Sequence, residues 1–358
     1  MTQPAAGSRT RPSLRLLASV VSCCFLATGC TSGRTPAGLP TPSHPAGAVV
    51  LPSAGTFSAP GSSTPHPSTP AATPAQSPPA TGSPSGLPSA ARPCGWIGLQ
   101  PHYQHVVWIW LENKDYASVI GNPSAPYENA LANACGLATN AHGVTHPSLP
   151  NYLAATGGST FGVHDDAGPA AHPISGPSIF RQIDQAGKSW RAYEESMPYA
   201  CATASSGEYA VKHNPAAYYV DERAECLHND VPLDAQLAAD ASAGRLPSFA
   251  FVTPNLCHDM HDCSVATGDR WLAETLPMLL NSATYRSGEL VIVLTFDEGV
   301  GSANRIPTIV IAPTIPPGTR VSARLDHYSL LRGTEDLLGL PPLGAAAQAT
   351  SLAAAFSL

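Results

Sequence analysis

The stretch HGVTHPSLPNY, residues 142–152, packs two histidines, a threonine, a serine, two prolines and an asparagine into one short turn. Pro147 and Pro150 fix the backbone on either side of Ser148, and Pro150 suits the first turn of a helix continuing as NYLAATG. Ser148 then stands at a helix N-terminus, where backbone N–H groups and the helix dipole favour an anion. A serine there is ordinarily a cap. A cap alone does not account for His146 and Asn151 beside it, and a hydroxyl held up in this way suits a nucleophile.

Acids gather where apolar runs end. VVWIWL (106–111) is followed by Glu112 and Asn113, LVIVLTF (290–296) by Asp297, Glu298 and Gly299, and SFAFVTP (248–254) runs into a loop carrying His258, Asp259 and His261. One acid after a strand is a helix cap or a solvated turn. Three such ends on one rim ask for a shared purpose. Oxygen ligands from Glu112, Asn113, Asp297 and Glu298 suit Mg²⁺, Ca²⁺ or Mn²⁺, and a nearby histidine shifts the preference towards Zn²⁺ or Fe. Adjacent carboxylates directly after a buried strand repel each other unless a cation neutralises them.

These residues need a frame that brings distant segments to one edge. The apolar runs 106–111, 248–254, 290–296 and 308–313 read as buried strands, and 147–157, 178–187, 269–282 and 327–340 read as helices. Strands of that kind separated by helices predict an α/β three-layer sandwich with a mainly parallel sheet covered on both faces. Ligands of such folds collect at the carboxyl ends of the strands.

The frame occupies only part of the 358 residues. Arg9, Arg11 and Arg15 precede LLASVVSCCFLATGC, too short for a comfortable membrane span and typical of an export signal over 1–30. Its end, LATGC, resembles a lipobox that would lipidate Cys30, with Ala27 where leucine is usual; the competing reading is an ordinary cleaved signal. Residues 31–93 are Pro, Ser, Thr, Ala and Gly with only Arg34 and Arg92 charged, a composition that predicts an extended, disordered stalk. The folded domain is then 94–358, at the cell surface or secreted, touching a membrane only through Cys30. Its six cysteines, 94, 135, 201, 226, 257 and 263, suit an oxidising compartment, and sequence order suggests the pairs 94–135, 201–226 and 257–263. Fifteen pairings remain open to spacing alone, and a zinc site is the rival, without a CxxC to support it. A formal charge of −7 with no basic run in the domain excludes nucleic acid as a partner.

Taken in order, LENKDY, THPSLPNY, DMHD with Asp269-x-Trp271-Leu272 after it, FDEG and DHYSLL resemble the bacterial phosphoesterase family of secreted acid phosphatases and phospholipases C. The resemblance spans 103–345 and is closest to the acid phosphatase branch. It implies an alkaline-phosphatase-like fold and a Ser or Thr nucleophile in an S/T-x-P-N turn, matched by Ser148 to Asn151. It also implies a divalent metal held by Glu112, Asn113, Ser148, Asp297 and Glu298, with Asn151 steadying a phosphoryl oxygen. Asp259, His261 and His327 match the polar positions opposite the nucleophile, where a proton donor or a second metal acts; His146 and His258 are supporting candidates or plain loop histidines. The implied activity is a phosphomonoesterase working through a phosphoserine on a phosphate ester, a phosphoinositide or a phospholipid headgroup, in a chain expected to be monomeric. A phospholipase C-type diesterase is the alternative. ENKDY in place of that branch's first motif, and a chain stopping soon after DHYSLL, weigh against it. A non-catalytic surface lipoprotein would use the stalk but leaves the strand-end acids unexplained.

Overall fold

The computed structural model describes residues 92–98 and 102–358. The export signal, the lipobox-like Cys30 and the stalk expected over 1–93 lie outside the described residues, save Arg92 and Pro93.

Among the described residues one sheet runs through β1 (His105–Leu111), β2 (Gly136–His142), β3 (Trp190–Glu194), β4 (Asp230–Pro232), β5 (Phe249–Thr253), β6 (Leu290–Phe296), β7 (Arg305–Ile311), β8 (Thr319–Val321) and β9 (Leu325–Asp326). Their spatial order is β4-β3-β5-β1-β6-β7-β2-β8, with β9 beside β2. All neighbours are parallel except those of β7, which runs against β6 and β2. β7 is the TIVIAP run. Only residues 297–304 separate it from β6, too few for the crossover that a parallel pair needs.

β1 lies at the centre, and Val106 to Leu111 are all buried, as a strand covered on both faces requires. Trp108 meets Phe249 edge-on at 4.7 Å and donates from Nε1 to Thr334 Oγ1 at 3.0 Å; Trp110 packs on Tyr152 and His327, each at 4.7 Å between ring centroids. One face of the sheet is thus closed by the helices Ser148–Gly157 and His327–Leu338. Every residue of the first is buried, so no polar face is presented to water. The second starts at a reciprocal cap in which Asp326 and Ser329 satisfy each other's backbone N–H. Elsewhere the Pro126–Ala134 helix packs on β2, β7 and the Val265–Leu280 helix, the last starting one turn before the expected 269 because Ser264 caps it.

The disulfides are Cys94–Cys135, Cys201–Cys226 and Cys257–Cys263, the order-of-sequence pairing. All six domain cysteines are thereby used, so none is left as a zinc thiolate.

Candidate active site

Register decides what meets at the sheet's edge. Leu111 of β1 pairs with Phe296 of β6, so the next residues, Glu112 and Asp297, leave the sheet side by side. Asp297 N donates to Leu111 O at 3.0 Å, and Asn113 N donates to Asp297 Oδ1 at 2.9 Å. Asn113 reaches it by turning into the left-handed region at φ 55°, which asparagine tolerates better than most residues. Because β2 is antiparallel to β7 and β7 to β6, β2 is parallel to β6 and delivers the 143–148 loop to the same edge. Gly143 allows the approach: a Cβ there would lie 2.7 Å from the Asn304 side chain and 2.9 Å from Asp297 O.

Ser148 is the first residue of its helix, with Pro147 in the capping position. Its hydroxyl is therefore not spent on a cap. It donates to Glu112 Oε2 at 3.1 Å, an oxygen that also receives Asn113 Nδ2 at 3.2 Å. The buried Tyr152 hydroxyl donates to Glu112 Oε1 from one turn further along the helix. Glu298 accepts from the half-exposed His146 Nδ1 at 2.6 Å. The structure thus brings Glu112, Asn113, Ser148 and Asp297 into direct contact and ties His146 to Glu298.

A histidine absent from the sequence expectations completes the cluster. His213, fully buried, places Nε2 3.3 Å from Glu112 Oε2 and Nδ1 3.1 Å from Asp259 Oδ2. Both contacts are close but off-line, leaving His213 Nε2 and Asp259 Oδ2 without an aligned hydrogen bond. The His213 ring stacks on Tyr152 at 5.6 Å. His261 is near: ligand atoms of Glu112, His213 and His261 lie within 4.8 Å of one another. His261 donates or accepts at Nδ1 with Asp262 at 2.6 Å, and its backbone N–H donates to Asp259 Oδ1 at 2.7 Å. The signal that could have found His213 is the VKHNP stretch at 211–215, a histidine beside a lysine just before Asn-Pro.

The electrostatics are those of acids crowded without enough cations. Burial first, then the charges of Glu112 and Glu298, push the Asp297 carboxyl well above its usual range, and its Oδ2 is buried with no partner. Burial would also lift Glu112, but the charge and close contact of His213 and the Tyr152 hydroxyl hold it below its usual value. Burial would drive His213 down; Glu112 and Asp259 reverse this and raise it to about 10. Glu298 is raised to about 7, by burial foremost and with Glu112 adding to it against His146. Ligand atoms of Glu112, His213 and His261 are close enough to share a cation, and the orphaned Asp297 Oδ2 belongs to the strand end next to that of Glu112, so oxygen and imidazole donors that fit a divalent cation meet at this edge, while Glu298 is bonded to His146.

Two of the expected site residues are bonded to backbone groups. Asn151 was to steady a phosphoryl oxygen, but its amide is consumed by the loop: Oδ1 accepts from Val144 N and Thr145 N, and Nδ2 donates to Thr145 O and Pro147 O. It shapes the turn that presents Ser148. His327 was a candidate proton donor, but its Nε2 bonds the Asp297 carbonyl at 2.5 Å and burial pushes its pKa down to about 4. That bond braces the end of β6. His258 lies to one side, bonded through Nδ1 to Glu195 at 2.9 Å and stacked on Trp271. The helix N-terminus also differs from expectation: the first amide beyond Ser148, Leu149 N, already donates to Asp166 Oδ1 at 2.9 Å.

Comparison with known proteins accords with this arrangement. The chain belongs to the Phosphoesterase family, whose profile matches residues 109–341. It is 34% identical over 279 residues to the phosphatidylinositol-3-phosphatase of Mycobacterium tuberculosis, covering 74% of this chain and 90% of that protein. It is 32% identical to an acid phosphatase of Aspergillus fumigatus, covering 66% of this chain but only 55% of the fungal protein. Among solved structures, the lipoteichoic acid synthase LtaP from Listeria monocytogenes superposes with a TM-score of 0.50 at 12% identity, covering 70% of this chain and 73% of that one. The α/β fold with its mainly parallel sheet and the hydrolysis of phosphoric esters therefore stand as expected from the sequence.

Proposed function

We propose that this phosphoester hydrolase is an exported, metal-dependent phosphomonoesterase with Ser148 as nucleophile. The observation that carries the reading is the Ser148 hydroxyl donating to Glu112 Oε2 at 3.1 Å, beside an Asp297 carboxylate whose Oδ2 has no partner. Glu112, Asn113, Ser148, Asp297 and Glu298 are the residues that would hold a divalent cation, and a cation so bound lowers the pKa of a coordinated hydroxyl and neutralises charge on a phosphoryl group. Glu112 and Tyr152 fix the direction of the Ser148 hydroxyl. With its proton passed to Glu112 Oε2, Ser148 Oγ bonds to phosphorus as the bond to the leaving alcohol breaks, in line. His261, 29% exposed and beside Glu112, is the group that gives the alcohol its proton; water then cleaves the phosphoserine and the serine regains its proton. His213, held cationic by two acids, keeps Glu112 ionised and aimed at Ser148.

A monoester rather than a diester is favoured by the names of the relatives, acid phosphatases and a phosphatidylinositol-3-phosphatase, and phosphoinositide headgroups join small phosphate esters as substrates to assay. Export rests on the basic and apolar leader and on three disulfides, which suit an oxidising compartment. The test is p-nitrophenyl phosphate hydrolysis with and without a chelator, for wild type and Ser148→Ala. Chelation should abolish turnover, and the mutant should lose on the order of 10³-fold or more in kcat with its thermal unfolding unchanged; wild-type turnover in the mutant excludes the assignment.

A further inference from the structure

Resting on that phosphomonoesterase reading, we propose that Lys212 is the cation that binds the non-reacting oxygens of a dianionic phosphate, making it the residue that selects monoesters over diesters. The helix N-terminus at Ser148 would be the ordinary seat for a phosphate, yet its Leu149 N–H is held by Asp166 Oδ1. The same carboxylate, through Oδ2, accepts from Lys212 Nζ at 3.1 Å, and Nζ also lies 3.3 Å from His261 Nε2. Asp166 thus spends the helix amide and uses its other oxygen to hold an ammonium beside the leaving-group histidine.

Two other cationic groups stand at this edge. Lys114 Nζ donates to Met260 O at 2.7 Å, and His213 is sealed between Glu112 and Asp259. Of the two lysines, Lys212 is the one whose ammonium stands against His261, 3.3 Å away, and with its side chain 20% exposed it keeps an N–H for a ligand. It precedes His213 on the same short Val211–His213 turn. A monoester dianion brings one more negative charge than a diester into a region bearing Glu112, Asp166, Asp259, Asp297 and Glu298, and an additional ammonium is worth most to that ligand. When His261 Nε2 carries the proton that the leaving alcohol takes, it no longer accepts from Lys212, and the ammonium beside it, held by Asp166, is free to turn to the phosphate.

The experiment uses the purified chain and compares wild type, Lys212→Met and Lys212→Arg. Inorganic phosphate binding is measured by calorimetry, and kcat and KM are measured with p-nitrophenyl phosphate and bis-p-nitrophenyl phosphate. Loss of a charged hydrogen bond predicts about 10- to 100-fold weaker phosphate binding and a similar rise in KM for the monoester in Lys212→Met. The diester should change about threefold or less, and Lys212→Arg should recover most of the loss. Equal effects on both esters, or unchanged phosphate binding in Lys212→Met, would overturn the proposal. If Lys212→Met does not fold, Lys212→Arg and Lys212→Gln decide it, with Gln expected to bind phosphate as weakly as Met was to. A wild type that binds phosphate but hydrolyses neither ester would sink the phosphomonoesterase reading while calorimetry still judged Lys212.

Discussion

Ser148 and Glu112, 36 residues apart, are joined by a 3.1 Å hydrogen bond from the serine hydroxyl to a carboxylate oxygen that burial alone would neutralise. Glu112 stays ionised because His213 faces the same oxygen and Tyr152 donates to the other. A hydroxyl in the first turn of a helix thus points at an ion rather than at its own backbone, and the site's charge balance rests on that pair.

Metal binding should be visible in stability as well as in rate. A divalent ion at 100 times its Kd stabilises the folded state by about 2.7 kcal/mol, roughly 5–10 °C in Tm for a domain of this size. Differential scanning fluorimetry with Mg²⁺, Mn²⁺, Ca²⁺ or Zn²⁺ added after chelation should show that rise for at least one ion. Asp297→Asn, which removes the orphaned acid without changing its volume, should abolish the rise. A Tm indifferent to every ion would count against a metal between Glu112 and Asp297.

Asn151→Ala tests whether this amide serves the loop or the substrate. Its four hydrogen bonds hold Val144, Thr145 and Pro147, so the mutant should lose about 2–4 kcal/mol of stability through unsatisfied loop groups, and kcat should fall with it. Urea unfolding monitored beside kcat decides the matter. Undiminished stability with a hundredfold lower kcat would restore a direct phosphoryl contact for Asn151.

Glu335 should make the domain less stable as the medium turns from acid to neutral. Burial raises its carboxyl from 4.5 to about 8, with the Leu343 N–H at 2.7 Å and Arg332 opposing that rise. The folded state therefore holds a proton that the unfolded chain releases near pH 4.5. Its stabilising contribution is whole below that pH and declines as pH climbs to about 8. Glu335→Gln keeps the acceptor for Leu343 and should flatten the fall in Tm between pH 4.5 and 8. An unchanged slope would assign the pH dependence to other groups, of which Glu222, raised to about 7 by burial, is the next to test.

What could be read along the chain was whatever local chemistry writes there. Unbroken apolar runs declared β1, β5 and β6, Pro150 and the NYLAATG pattern declared the helix behind Ser148, and acids placed directly after strands declared the edge that holds the candidate site. The order of cysteines happened to coincide with their pairing because each pair closes a short, local loop. The polar strands β2, β3 and β4 carry no such signal, since GLATNAH or DVP gains its strand geometry only from neighbours already in the sheet.

His213 illustrates the other limit most clearly. It lies in a single 3₁₀ turn with no periodicity, and its role depends on Glu112, 101 positions earlier, and Asp259, 46 later, arriving on either side of it. Asn151 and His327 were recognisable as special residues, but whether their polar atoms faced a ligand or their own backbone was settled by where the 143–147 loop and the end of β6 came to rest. Residue type and spacing told which groups could react. Packing alone decided which of those groups were still free to do so, because a buried donor or acceptor bonds whatever the fold brings within about 3 Å.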